Sequence, residues 1–335
     1  MRSSSDIKAS DDAILAVPGL PPVEIGGPEG PPLAPAHLEP VARSQWQLFL
    51  RRFLKHKLAV AALVVLILLY IVCFFAPQLA PYPLNPKLTS EVLAGASKGP
   101  SAAHWFGTDE LGRDQLTRIM YAGQISLRVG LFVALASTLI GTALGSVAGF
   151  FGGWVDQLLM RVTDLFLVVP GLAILAMAQK GLSGKSILGF HLSSTSLIIL
   201  ILSFLFWQTI ARVVRGLFLS LKEKEYVEAA RASGARSGRI IVRHMLPVII
   251  GAIAVNTTLV VGYAIVTEST LSFLGFGIQP PAVSWGTMLN QSEGAVGTPQ
   301  AYLIYFPGLA LLVTVLAVNF LGDGLRDAFD PQSQH

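Results

Sequence analysis

Long apolar stretches alternate with short polar or Gly/Pro-rich segments along most of this 335-residue chain. Each stretch is close to the roughly 20 residues that a helix needs to cross a bilayer. The composition agrees, since 53% of the residues are hydrophobic and only 13% are charged. The pattern therefore predicts an all-α polytopic membrane protein with six transmembrane helices, at about 58–76, 126–149, 158–179, 194–214, 247–272 and 301–321.

The polar and apolar segments also divide the chain into regions. A Pro/Gly-rich start with few large apolar residues cannot build a core, and we expect it to be disordered. The predicted regions are a cytoplasmic tail at 1–42, an interfacial helix with the first span and an outer segment at 43–125, a five-helix core at 126–325 with a cytoplasmic loop at 215–246, and a C-terminal cytoplasmic tail at 326–335.

The placement of the basic residues predicts the orientation. An amphipathic helix at 46–57 carries Arg51, Arg52 and Lys55 on its polar face, which is typical of a helix on the cytoplasmic membrane surface. Alternation of the spans then places the basic 215–246 loop and both termini in the cytoplasm. The modest net charge of +4 follows the membrane topology and gives no indication of nucleic-acid binding.

The 215–246 loop holds the longest charged stretch between apolar segments. Its composition predicts a short helix from Lys222 to Ser233, with pairs from Glu228 to Lys224 and to Arg231, and a glycine stop at Gly234. A second basic helix is expected over 237–244, and Pro247 would begin the fifth span. The prediction is a helix-turn-helix in water between two spans.

The spacing of Glu228-Ala229-Ala230, Gly234 and the following Leu-Pro pair resembles the coupling loop of ABC importer permeases. The resemblance implies that the first helix docks on a separate ATPase subunit. Glu228 would make the central polar contact beside Tyr226 and Arg231, while the alanines and the glycine allow a close fit. The alternative is a basic cytoplasmic loop that touches nothing.

The outer segment before the second span resembles a hallmark of the C-type permeases of dipeptide, oligopeptide and nickel ABC importers. The matching residues are Gly107, Thr108, Asp109, Gly112, Arg113 and Asp114. Its acidic side chains suggest either a metal or catalytic cluster or a structural role. We favour the structural role, with an Asp114–Arg118 pair and a helix N-cap at Thr108 or Asp109.

Three further features concern the membrane helices. Gly141, Gly145, Gly149 and Gly153 recur every four residues, which allows another helix to approach closely, within the chain or in a partner. We expect Arg161 to pair with Asp164, and Pro170 to kink the third span. Near the end of the fifth span, Glu268 and Ser269 lie in another stretch that resembles the same family, with a role either in the translocation path or in packing.

Several enzymatic interpretations fail. Gly184-Lys185-Ser186 lacks the first glycine and the strand of an ATP-binding loop. Ser183 and His191 lie on one short loop, whereas a catalytic pair usually comes from separate elements. Cys73 is the only cysteine, so an internal disulfide is excluded. We predict no catalytic or metal site.

The resemblance covers about residues 46–331 and implies a type I ABC importer permease fold. The chain would be one permease subunit of an ATP-driven importer of peptides or a related small solute in a bacterial inner membrane. It would work with a homologous second permease, two ATPase subunits that bind ATP and Mg, and an extracytoplasmic solute-binding protein. The alternative is a secondary transporter or channel without ATPase partners, which should carry a buried ion or proton site.

Overall fold

The computed structural model describes residues 45–87, 89–168, 170–182, 186–187, 190–191 and 193–329. The predicted tail at 1–42 and the residues from 330 onward lie outside this range, as does Ser183. The helices of the first half are α1 (Gln45–Lys55), α2 (Lys57–Phe74), α3 (Ala76–Leu79), α4 (Ser90–Ala94), α5 (Gln115–Phe151), α6 (Gly153–Val168) and α7 (Gly171–Leu182).

The second half begins with a two-residue antiparallel strand pair and is otherwise helical. Its elements are β1 (Ser186–Ile187), β2 (Phe190–His191), α8 (Ser194–Leu221), α9 (Glu225–Ala232), α10 (Ser237–Arg239), a π-helix (Ile240–Met245), α11 (Leu246–Phe273), α12 (Trp285–Gln291), a 3₁₀ turn (Glu293–Ala295) and α13 (Tyr302–Phe329).

Within the described residues, five helices are long and apolar enough to cross a membrane. The pair α6 and α7 becomes a sixth span if it is counted as one broken helix, with a bend of 77° between its halves. Pro170 lies at the break and cannot donate a backbone hydrogen bond, which explains the interruption. The predicted fold class is confirmed, and the third span bends at the expected proline.

Helix α5 is the central element and packs against α2, α8 and α11. It starts at Gln115, well before the predicted 126, because Asp114 caps its N-terminus by accepting a hydrogen bond from the Thr117 backbone N–H at 2.8 Å. The added turns contain polar side chains such as Arg118 that are buried against protein. A hydrophobicity pattern does not detect such a segment.

A glycine face brings α5 and α8 together. Side chains at Gly141, Gly145 and Gly149 would collide with the backbone or Cβ atoms of α8, and a Cβ at Gly141 would lie 2.5 Å from the Trp207 carbonyl oxygen. The close approach is therefore made within the chain. Gly153 does not take part, because it lies beyond the end of α5 and a Cβ there would meet nothing within 4 Å.

The polar loop after α8 differs from the predicted helix-turn-helix. Its first helix, α9, is shorter than expected, and its second helix runs without a break into α11, giving one helix from Ser237 to Phe273. The intervening π-helix carries a bond from the Leu246 N–H to the Ile241 carbonyl. This wider turn lies directly before Pro247, whose missing N–H would interrupt a regular α-helix.

Short helices also form at the opposite end of the bundle. The proline-rich segment after the first span begins with the short helix α3, with Pro77 in its first turn. The Gly/Pro-rich 274–300 segment contains α12, whose Trp285 and Met288 are buried against the bundle. These additions close that end of the bundle over α5 and α11.

Candidate functional site

Helix α9 presents the residues of the Glu-Ala-Ala stretch at the protein surface. Glu228 and Ala229 are exposed, Ala230 is half-buried, and Tyr226 is 42% exposed. The predicted pairs of Glu228 with Lys224 and Arg231 are absent from the ion pairs formed by the described residues. Within that part of the chain, the Glu228 carboxylate is therefore available to another molecule.

The C-terminal turn of α9 fixes where this surface ends. Gly234 has φ of +77°, a conformation that side chains disfavour. Its N–H donates to the Arg231 carbonyl at 3.0 Å, and the Ala235 N–H donates to the Ala230 carbonyl at 3.1 Å. These two bonds form a Schellman motif, which ends the helix abruptly. The glycine stop thus lies where the sequence predicts it.

One apolar side chain holds α9 against the bundle. Val227 is fully buried and belongs to a cluster with Phe150 at the end of α5, Phe218 on α8, and Ile240 on the π-helix. Arg231 adds a contact, with its guanidinium 5.8 Å from the centre of the Phe150 ring. A displacement of α9 must therefore move or deform the contacts with three membrane-spanning elements.

The outer segment is organised around Asp109. Its carboxylate accepts hydrogen bonds from the Arg113 backbone N–H at 2.8 Å and the Arg113 Nε at 2.7 Å, and it also pairs with Arg118. Arg118 is buried and donates in addition to Gln291 Oε1 at 2.6 Å. The pair therefore ties the outer segment to α5 and to the end of α12.

Two structural predictions for this segment are wrong in detail. Arg118 pairs with Asp109 and not with Asp114, because the Asp114 carboxylate caps α5 and contacts His104 Nδ1 at 2.9 Å. Thr108 does not cap a helix either. It is buried, and its hydroxyl bonds to the Gly95 carbonyl at 2.5 Å while its own carbonyl accepts from Tyr302 at 2.8 Å.

The two glycines of the outer segment permit its tight turns. Gly107 and Gly112 have φ of +77° and +74°. A Cβ at Gly107 would lie 2.7 Å from the Lys98 carbonyl oxygen, and one at Gly112 would be blocked by the Val92 backbone. The signature stretch is therefore a folded cap, with polar groups that bond within it and to nearby residues such as His104 and Tyr302.

Glu268 is fully buried inside the bundle in a cluster of hydroxyl groups. Its carboxylate accepts hydrogen bonds from Ser272 at 2.7 Å, Ser126 at 3.0 Å and Ser269 at 3.3 Å. The Ser126 oxygen also accepts from the Trp285 backbone N–H at 3.3 Å. In this conformation the cluster joins α5, α11 and α12, and these contacts favour the packing alternative for Glu268 and Ser269.

Two ion pairs connect α6 to α8 at the end of the bundle near α9. Asp156 accepts from both Arg215 Nε and Nη2, the latter at 2.6 Å, and Asp164 pairs with Arg212. The predicted Arg161–Asp164 pair is therefore wrong, because Asp164 pairs with Arg212 of α8 and not with its i, i+3 neighbour. Sequence spacing holds no signal for partners 48 residues apart.

Other residues of these clusters are also missing from the sequence prediction. Ser272 lies one helical turn after Glu268, so its contact follows from i, i+4 spacing. Ser126, Trp285 and Val227 come from distant segments and carry no comparable local signal. In the described part of the chain, no three His, Cys, Asp or Glu side chains converge as metal ligands would.

Two protein-family models match parts of this chain. Residues 141–335 match the family model described as binding-protein-dependent transport system inner membrane component. Residues 44–96 match the N-terminal transmembrane domain of oligopeptide transport permease C. The first match covers the second half of the chain from within α5 onward, and the second covers α1 to α4.

Curated relatives align over most of the chain. The glutathione transport system permease protein GsiD of Pectobacterium atrosepticum is 41% identical over 87% of this chain and 92% of its own length. The protein of the same name from Escherichia coli is 40% identical over 87% and 91%. The dipeptide transport system permease protein DppC of Alkalihalophilus pseudofirmus is 38% identical over 87% and 91%.

Proposed function

The chain belongs to the family of inner membrane components of binding-protein-dependent transport systems, and we propose that it carries peptides across the membrane and couples to ATPase subunits through α9. Its relatives are permease subunits of ABC importers, so the chain is a multi-span permease subunit and not an enzyme. The resemblance seen in the outer segment and in the Glu-Ala-Ala stretch agrees with this family.

The observation that carries the proposal is the combination of an exposed polar face and a buried anchor on α9. Glu228 and Ala229 face outward, while Val227 packs among Phe150 and Phe218 at the ends of two spans. A partner that binds the exposed face would push or pull on those spans through the anchor. Small alanine side chains leave room for the partner to approach closely.

The continuous helix after α9 supports the same mechanism. The π-helix packs against Val227 through Ile240 and Met245 and continues directly into α11. A movement of α9 is therefore transmitted to α11 as well as to α5 and α8. Closure of the ATPase pair on ATP would shift the spans between inward-facing and outward-facing states, and hydrolysis would reset them.

The proposed assembly contains a second homologous permease, two ATPase subunits that bind ATP and Mg, and an extracytoplasmic solute-binding protein. The basic residues of the α9 loop support a cytoplasmic location for it, and both termini would then lie on the same side. The names of the relatives give glutathione and dipeptides as their solutes, and both are small peptides. A peptide of this size is the proposed solute of this chain.

The test is a charge reversal in α9 with a matched neighbour. The chain is expressed with its partner subunits, and uptake of a panel of radiolabelled dipeptides, tripeptides and glutathione is measured. Glu228→Lys should abolish uptake while the chain remains in the membrane. Glu223→Lys makes the same charge change at an exposed residue just before α9 and should retain uptake. Equal uptake by both variants would refute coupling through Glu228.

A further inference from the structure

A cavity of about 670 Å³ lies between α5 and α8, apart from the contacts of α9. Its α5 wall is formed by Arg128, Phe132, Ala136 and Ile140, which follow one another at helical spacing. The distance along the helix from Arg128 to Ile140 is about 18 Å at 1.5 Å per residue. This length is close to one leaflet, which is half of the roughly 30 Å hydrocarbon core.

The cavity is charged at one end only, and Ser203, further along α8, bonds its hydroxyl to the Ile199 carbonyl at 2.6 Å. Ser193 and Ser196, at the N-terminus of α8, join Arg128 at the charged end, and their hydroxyls lie 2.9 Å apart. On the α8 wall, Leu200 and Phe204 then continue along the apolar part. The cavity thus has a cationic, hydroxyl-lined end and a mostly apolar remainder.

Arg128 is the charged residue of this cavity and lacks a carboxylate partner among the described residues. Its guanidinium lies 5.9 Å from the centre of the Phe74 ring, at the end of α2. An arginine in a membrane helix ordinarily pairs or reaches the headgroup region. An anion at the polar end would give Arg128 a negatively charged partner while its guanidinium stays beside the Phe74 ring.

From this arrangement we infer that the cavity binds an anionic phospholipid, with the headgroup phosphate at Arg128 and an acyl chain along Phe132 and Ala136. In the orientation proposed above, the lipid belongs to the outer leaflet. The site contains no residue of α9, so this inference does not depend on coupling through Glu228.

Two other occupants fit less well. A peptide solute has an amino group as well as a carboxylate, and the lining offers no acidic side chain to pair with it. A helix of a partner subunit would have to supply an acidic side chain for Arg128, whereas every anionic phospholipid carries a negative headgroup beside its apolar chains. This combination matches Arg128 and the apolar side chains of the lining.

The experiment is native mass spectrometry of the full-length chain purified with its co-purifying subunits. It is titrated with palmitoyl-oleoyl phosphatidylglycerol or with phosphatidylcholine of the same chains. Wild type should bind phosphatidylglycerol more tightly. Arg128→Gln should weaken the tightest phosphatidylglycerol site about fivefold and phosphatidylcholine binding by less, so that the preference is lost, whereas Arg128→Lys should retain the preference.

A second pair of variants tests the apolar channel. Ala136→Trp fills it, whereas Leu139→Trp places the same side chain on α5 at a position that is 73% exposed and outside the cavity. Only Ala136→Trp should remove the tight phosphatidylglycerol site. Equal binding of both lipids to wild type, equal loss in both tryptophan variants, or dissociation of the second permease by Ala136→Trp alone would overturn the inference.

Discussion

The contact between α5 and α8 gives a quantitative prediction, because it depends on the absence of a single carbon atom. In Gly141→Ala, the new Cβ would lie 2.5 Å from the Trp207 carbonyl oxygen and 2.8 Å from Ile210 Cβ. Carbon atoms pack comfortably at about 3.5 Å or more, so Ile210 would have to move by about 0.7 Å. The obstructing atoms are backbone and Cβ atoms, which cannot rotate away.

The size of the effect follows from a comparison with a second glycine. Overpacking of this kind costs about 1–3 kcal/mol, and a backbone clash belongs at the upper end. Alanine also gains up to about 1 kcal/mol over glycine in a helix. Gly216→Ala on α8 gives the same gain without the clash, since its Cβ would meet nothing within 4 Å. The two variants should therefore differ by about 2–3 kcal/mol, with Gly141→Ala the less stable.

The assay is equilibrium unfolding of the purified protein in SDS mixed micelles, followed by tryptophan fluorescence. Trp207, one of the five tryptophans of the chain, is buried at the contact itself, so its share of the emission reports separation of the two helices. Gly141→Ala should unfold at a lower SDS fraction than wild type, and Gly216→Ala at an equal or higher one. If both alanine variants shift in the same direction by the same amount, the close approach of α5 and α8 does not depend on the missing side chain.

Three further predictions concern the polar clusters and the anchor. Val227→Ala should lower peptide uptake, because loss of the buried side chain loosens α9 at a local cost of about 2 kcal/mol. Val242→Ala, at an exposed site, should leave uptake unchanged, and equal uptake by the two variants would contradict the role of Val227 as an anchor. Asp109→Asn should destabilise the protein by about 3–5 kcal/mol in the SDS assay, because buried Arg118 loses its counter-charge. Glu110→Gln, at an exposed neighbour, should change the stability little, and equal stability of the two variants would refute the buried pair. Glu268→Leu should cost about 1–3 kcal/mol because its serine partners lose their acceptor, and an unchanged unfolding midpoint would refute the packing role.

The sequence predicts the membrane spans well because their apolar interiors carry a strong local signal. It places the start of α5 too late because the residues from Gln115 onward are polar yet buried against the protein. The break at Pro170 and the stop at Gly234 were predictable, since each depends on the backbone chemistry of one residue.

The ion pairs show where prediction from the sequence fails. Local spacing favours Asp114–Arg118 and Arg161–Asp164, but a neighbour one turn away competes with every residue that the fold brings near. Asp109 reaches Arg118, and Arg212 reaches Asp164 from another helix. The burial of Val227 is likewise a tertiary effect, because most of its helix is exposed.

The central claim, that this permease works with ATPase subunits through α9, is tested most directly by affinity purification of the tagged chain from its native membrane. We expect recovery of a second permease and of ATPase subunits with the wild-type chain and with Glu223→Lys. For Glu228→Lys we expect loss of the ATPase subunits, with the second permease retained. Isolation of an active transporter without any ATPase would contradict the account and favour a secondary transporter.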